Sequence, residues 1–186
     1  MIVNIHGFTG SGDNTKYRWL RENFPQRRIF SPTFDYVAMS PENILGRLAD
    51  GVSSYLAAKP PIVPALCVLG SGMGAFFARC LNLMFPEVTT VLINPALAPF
   101  LTLRGHIDCR AYLGLFARLA YKDDGISAGE GELHVIIGDS DELINHELLT
   151  KPLLPPAFNR FHLIRGGTHR LELTPEVGVI LKSILG

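Results

Sequence analysis

At 186 residues the chain is long enough for one sizeable hydrophobic core and short for two. Hydrophobic residues make up 47% and charged residues 18%, which is ordinary to apolar for a soluble α/β protein. The 17 basic and 17 acidic residues cancel, so there is no electrostatic footprint for nucleic acid and no basic stripe for a membrane surface.

Ile2 to His6 reads as a first strand, and the N-terminus lacks the charged and apolar regions of a signal peptide. Arg28 to Ser31 is the second strand. Ser40-Pro41-Glu42 combines an N-cap, a first-turn proline and a first-turn acid. It opens a helix to about Ala58, which Lys59-Pro60-Pro61 stops. Ala65 to Leu69 is a buried strand. It breaks into a glycine-rich turn, Gly70 to Gly74, and resumes as the helical pattern Phe76, Phe77, Cys80, Leu81 and Met84, closed by Pro86.

Strands follow at Thr89 to Ile93, Leu133 to Ile137 and Phe161 to Ile164, and Thr174-Pro175-Glu176 opens a last helix ending near Leu185. Short apolar runs alternating with helical patterns predict one α/β domain over residues 1–186, a doubly wound, mostly parallel sheet of about six strands. Residues 96–131 are the least regular part. Tyr112, Leu113, Phe116, Ala117, Leu119 and Ala120 read there as a short amphipathic helix, either a small cap or a crossover packed on the sheet.

Several classes of function drop out. No apolar run approaches a membrane span, and the default compartment is the cytoplasm. Three cysteines, an odd number, argue against a disulfide framework; Cys67 and Cys80 fall at buried positions. No pair of histidines or cysteines has zinc-site spacing, so neither a metal nor a cofactor is expected. Gly70, Gly72 and Gly74 alternate and no Lys-Ser/Thr pair follows, which rules out the common phosphate-binding loops.

The chemistry rests on four features in a fixed order. A strand, a tight turn and a helix form the nucleophile elbow of α/β-hydrolases, where the residues two before and two after the nucleophile must be small. Gly70 and Gly74 supply these positions, and the residue between them is Gly72 instead of serine. Taking Ser71 as nucleophile would put Leu69 and Met73 where the turn is crowded, so that frame is rejected. The first strand ends in His6-Gly7-Phe8, which makes the amides of Phe8 and Met73 the expected oxyanion donors. After Gly138, Asp141 is preferred over Asp139 as the carboxylate; each could instead cap a helix over Glu142 to Leu149. Gly166-Gly167-Thr168-His169 permits a tight loop that returns His169 toward the sheet. His106, His134, His146 and His162 have no supporting motif and read as packing or surface residues. The order elbow, acid, histidine is that of the α/β-hydrolases.

On these residues the chain resembles a compact α/β-hydrolase, most of all the small YqiA-type esterases. These open with a strand into H-G-F, carry G-S-S-x-G-G at the elbow and an N-P after the next strand, and end in a G-x-H loop. The matching residues are His6-Gly7-Phe8, Gly70-Ser71-Gly72-Met73-Gly74, Asn94-Pro95, Asp141 and Gly167-Thr168-His169, spread over almost the whole chain. The departure is Gly72, at the second serine of the elbow. The resemblance implies an esterase or thioesterase lineage whose nucleophile is missing, hence a weak or inactive carboxylic ester hydrolase. Its substrate would be a small acyl ester. The alternative is a non-catalytic protein that keeps the pocket for a small apolar ligand.

Overall fold

Six short strands line up side by side and all run the same way. They are β1 (Ile2–Ile5), β2 (Ile29–Phe30), β3 (Cys67–Ser71), β4 (Thr89–Ile93), β5 (Leu133–Gly138) and β6 (Phe161–Ile164), in the order β2-β1-β3-β4-β5-β6. The structure, a computed structural model, describes residues 1–58, 66–85, 87–120, 132–154 and 160–186, with 118–120 as backbone only. The helix stop at Lys59-Pro60-Pro61, Ala65, Pro86 and residues 121–131 lie outside these.

Side chains alternate across a strand, so each strand feeds two cores. Val3, Val68, Leu92 and Val135 join one, Ile2, Leu69, Val91 and Ile136 the other. The first is covered by α2 (Pro41–Ala57), α3 (Met73–Met84) and α5 (Cys109–Ala120) through Ile44, Leu48, Phe77 and Tyr112. The second is covered by α1 (Thr15–Asn23) and α7 (Pro175–Leu185) through Leu20, Val177 and Leu181. Two α-helices among the described residues are short, α4 (Pro99–Thr102) and α6 (His146–Leu149). This is the doubly wound arrangement expected of alternating strands and helices. The expected caps form: Ser40 Oγ accepts from the Asn43 amide and Thr174 Oγ1 from the Val177 amide.

The ends of β1, β2, β3 and β5 differ from expectation by one or two residues. β1 stops at Ile5 because the His6 carbonyl accepts from the Tyr36 hydroxyl at 2.6 Å and leaves the ladder. β2 keeps only Ile29 and Phe30; the Ser31 hydroxyl turns away to the Gly12 carbonyl, and Pro32 has no amide to continue. β3 runs on past Leu69 to Ser71, which pairs with Ile93. Within 96–120, Tyr112 and Leu115 are buried, and the Tyr112 ring packs against Phe76 and Phe77 of α3.

Candidate active site at the carboxyl edge of the sheet

In a parallel sheet of this kind the carboxyl ends of the strands open on one edge, where ligands bind. The segments leaving β1, β3, β4, β5 and β6 there carry Gly7, Gly72, Asn94, Asp141 and His169 respectively.

The turn between β3 and α3 is made by its glycines. Gly72 holds φ +52°, ψ −118°, a backbone that side-chain-bearing residues rarely adopt. Its amide donates to the Ile93 carbonyl at 2.9 Å, and its carbonyl accepts from the amides of Ala75 and Ala96. A Cβ on Gly74 would run into the backbone carbonyls of Ile5 and His6, and one on Gly70 would meet the Gly74 carbonyl at 2.6 Å. The smallness required on both sides of the turn is therefore steric and specific. A Cβ on Gly72, in contrast, meets only ordinary van der Waals contacts: its nearest neighbour is His169 Nε2 at 3.5 Å, then the Gly7 Cα at 3.8 Å. A hydroxyl carried there would fall within hydrogen-bonding reach of the imidazole.

His169 sits on the loop after β6 and is tied to Asp141, not to Asp139. Its Nδ1 lies 3.1 Å from Asp141 Oδ1 and 3.0 Å from Oδ2, so Nδ1–H donates and Nε2 presents its lone pair toward position 72. The Asp141 side chain is 1% exposed and that of His169 22%. Burial pushes the Asp141 carboxyl up, but hydrogen bonds from His169 and from the amides of Leu143 and Ile144 outweigh it. The net effect holds the group below the usual carboxylate range. Asp139 has a different job: its Oδ1 accepts from the Gly166 amide at 2.6 Å and fastens the start of the His169 loop. Glu142 Oε2 accepts from the His169 amide at 3.0 Å.

Asn94 is the other anchor. It is buried at φ +40°, and its Nδ2 donates to the carbonyls of Thr168 and His169 at 2.8 and 2.9 Å. Its Oδ1 accepts from the Gly138 amide at 2.8 Å. One side chain thus joins the acid's strand to the histidine's loop.

The backbone amides of Phe8 and Met73 have no acceptor among the described residues. Met73 opens α3, where helix amides lack intrahelical partners. His6 stays out of the chemistry. Its Nδ1–H donates to the Gly7 carbonyl at 2.7 Å, its Nε2 accepts from the Phe34 amide at 2.9 Å, and burial holds its imidazole below the usual range. Ser71 lines a cavity of about 130 Å³ with His6, Gly7 and Lys16, away from His169.

Of the remaining histidines, His134 and His162 stack on β5 and β6, and His106 lies edge-on to Phe8. No group of three metal-ligating side chains occurs among the described residues. His146 does more than pack. It is buried and its Nε2 lies 2.9 Å from Asp141 Oδ2. No sequence signal marks it, because the contact depends on how the turn from Asp141 to Asn145 folds back.

With this geometry in place, the pattern of the family described as "Uncharacterised protein family (UPF0227)" matches residues 1–124. The chain belongs to the UPF0227 family. A UPF0227 protein of Shewanella sp. strain MR-7 is 32% identical over 110 residues, 58% of each chain, so the match spans less than two thirds of that relative's length. Among solved structures, Est1E from Butyrivibrio proteoclasticus with bound ferulic acid superposes with a TM-score of 0.68 at 14% identity, over 99% of this chain and 86% of that one. A monoacylglycerol lipase of Paleococcus ferrophilus does so with 0.66 at 12% identity, over 99% and 93%. At such identities the likeness establishes the fold, and the fold of this UPF0227 chain is that of the α/β-hydrolases. No helix among the described residues is long and apolar enough to cross a membrane.

Proposed function

We propose that this UPF0227 protein is an esterase-type hydrolase whose elbow has lost its serine, leaving a weak or inactive carboxylic ester hydrolase. The observation that carries the reading is the 3.5 Å separation between His169 Nε2 and the position a Gly72 Cβ would occupy. A nucleophile's place, its base and the base's carboxylate are all present; the attacking oxygen is not. The fold neighbours, one a monoacylglycerol lipase and one holding ferulic acid, support an ester-hydrolysing lineage.

In the native chain the remaining route is general-base hydrolysis. His169, oriented by Asp141, takes a proton from a water standing where the serine hydroxyl would be. That water's oxygen adds to the ester carbonyl, and the amides of Phe8 and Met73 receive the developing oxyanion. The tetrahedral species then collapses, the carbonyl re-forms, and the alkoxide leaves with the proton returned by His169. General-base help contributes about 10²–10⁴-fold and the oxyanion hole about 10²–10³-fold. Turnover is therefore slow and favours activated esters over amides. We infer that the α4–α5 segment, whose His106 ring lies edge-on to Phe8, would cover a bound acyl group.

The test compares the native chain with Gly72→Ser on p-nitrophenyl esters of short acids and with a fluorophosphonate probe. We expect at most slow hydrolysis and no labelling in the native chain, and both labelling and fast hydrolysis in the variant. Tight ligand binding with no turnover by the native chain would favour the second reading, a non-catalytic small-ligand-binding protein. A folded Gly72→Ser protein that remains unreactive would remove the hydrolase reading altogether.

A further inference from the structure

Asp141 serves two imidazoles, and only one of them faces the elbow. His169 Nδ1 approaches both carboxylate oxygens, while His146 Nε2 lies 2.9 Å from Oδ2. The amides of Leu143 and Ile144 donate to Oδ1 at 2.9 and 3.0 Å. Oδ1 is thus pinned by backbone, whereas Oδ2, the oxygen nearer His169, has His146 as its other partner.

The Nε2 proton of His146 is fixed by its partner. Burial holds the imidazole below the usual range, against the opposing pull of Asp141. An Nε2 lone pair would face a carboxylate oxygen, which is repulsive. Nε2 therefore carries a proton and donates to Asp141, and Nδ1 lies 2.8 Å from the Thr150 hydroxyl. Thr150 is fully buried, and its hydroxyl donates to the Pro95 carbonyl at 3.1 Å. Pro95 follows Asn94, the residue that holds the His169 loop. Both ends of the carboxylate–imidazole pair are accordingly fastened to the end of β4.

We propose that His146 is a positioning residue for the His169–Asp141 pair: its Nε2–H holds Asp141 Oδ2 and fixes the carboxylate plane that orients His169. The χ2 torsion of aspartate is broad, so the plane needs a partner on each oxygen. Without His146, Oδ2 has only His169 itself as partner, so the plane can turn about Oδ1 and the Nδ1 contact lengthen. The inference rests on the proposed role of His169 as base, and its test is built to fail separately from that role.

The measurement is the ring Nδ1 proton signal of His169 by NMR in the native chain, with kcat and KM in the Gly72→Ser background. His146→Phe keeps the ring shape and removes the donor. We expect the His169 signal to broaden or be lost by exchange, and kcat to fall about 10- to 100-fold with little change in KM, the range of a small misplacement of a reacting group. His146→Gln restores an N–H donor and should recover both. A folded His146→Phe protein with the His169 signal and kcat unchanged overturns the proposal. If that variant does not fold, Thr150→Val removes the partner that holds the His146 ring. It should weaken the same signal, and an unchanged signal is equally fatal. Asp141→Asn separates the two levels. Should it abolish the His169 signal while His146→Phe does not, only the positioning role is lost. Should it change nothing, the His169–Asp141 pair itself is refuted.

Discussion

Gly72 and His169 are separated by the space of one side chain: the Cβ that Gly72 lacks would stand 3.5 Å from His169 Nε2. The two come from the turn after β3 and the loop after β6, and His169 reaches position 72 because Asn94 and Glu142 hold its backbone. The Gly7 Cα, at 3.8 Å, bounds that position on the other side. On the proposed reading it is where a nucleophile's oxygen would be carried.

Restoring that atom has a conformational cost. At φ +52° a residue with a Cβ is strained by about 1–3 kcal/mol, while glycine gives back only about 0.5–1 kcal/mol through its larger entropy loss on folding. Gly72→Ser should therefore lower the unfolding free energy by about 1 kcal/mol as it confers fluorophosphonate reactivity. Urea melts and probe labelling on one sample check both, and labelling should vanish in Gly72→Ser/His169→Ala. Reactivity without any loss of stability would show that the strain lies elsewhere.

Asp141 makes folding sensitive to acid. Its carboxyl is held below the ordinary value in the folded chain, so the ionised form is favoured by folding. A depressed folded value means that the stabilisation is fully present above the unfolded value of about 3.9 and is lost as pH falls through the folded value. Asp141→Asn should thus be less stable than the native chain at neutral pH, and the gap should narrow as pH is lowered below about 4. Thermal melts from pH 7 to pH 3 measure it; a gap that stays constant or widens in acid contradicts the assignment.

Much of this architecture is legible in the sequence. Thr89 to Ile93 and Phe161 to Ile164 are strands with the expected ends, because an apolar run bounded by turns leaves little freedom. The β3–α3 turn is legible for the same kind of reason, since only small residues at 70 and 74 clear their neighbours. What escapes are side chains whose partners arrive by folding. The helix weighed for Glu142 to Leu149 shrinks to His146–Leu149 because Asp141 takes the amides of Leu143 and Ile144 into a turn, with Asn145 as the cap. That turn carries His146 back onto Asp141, a contact that no spacing rule contains. His6 is likewise visible as part of a motif, but not as the acceptor of the Phe34 amide.

Ser71 provides a check on the frame of the elbow. Its hydroxyl is buried with no hydrogen-bond partner among the described residues, in a cavity lined by Lys16 and not by His169. Removing an unsatisfied buried hydroxyl relieves a desolvation penalty, so Ser71→Ala should be neutral or stabilising by up to about 1 kcal/mol. In the Gly72→Ser background it should leave labelling intact. Loss of labelling on removing the Ser71 hydroxyl would mean that the reactive oxygen belongs to residue 71.

Asn94 should prove the most sensitive polar residue of the site. Asn94→Ala strips partners from three groups: the Gly138 amide and the carbonyls of Thr168 and His169. Gly138 is buried and its amide has no route to water, so it bears a full penalty of about 1–3 kcal/mol. Thr168 is exposed and His169 half-buried, so their carbonyls recover part of what they lose from solvent. Alanine is also less tolerant than asparagine of φ +40°. Together these predict a loss of about 2–4 kcal/mol in unfolding free energy and faster amide exchange at His169 and Leu171. In the Gly72→Ser background kcat should fall as well, because the histidine loop is no longer tethered to β4. A loss under about 0.5 kcal/mol, with exchange unchanged, would mean that Asp139 and Glu142 hold the loop by themselves and Asn94 is not its anchor.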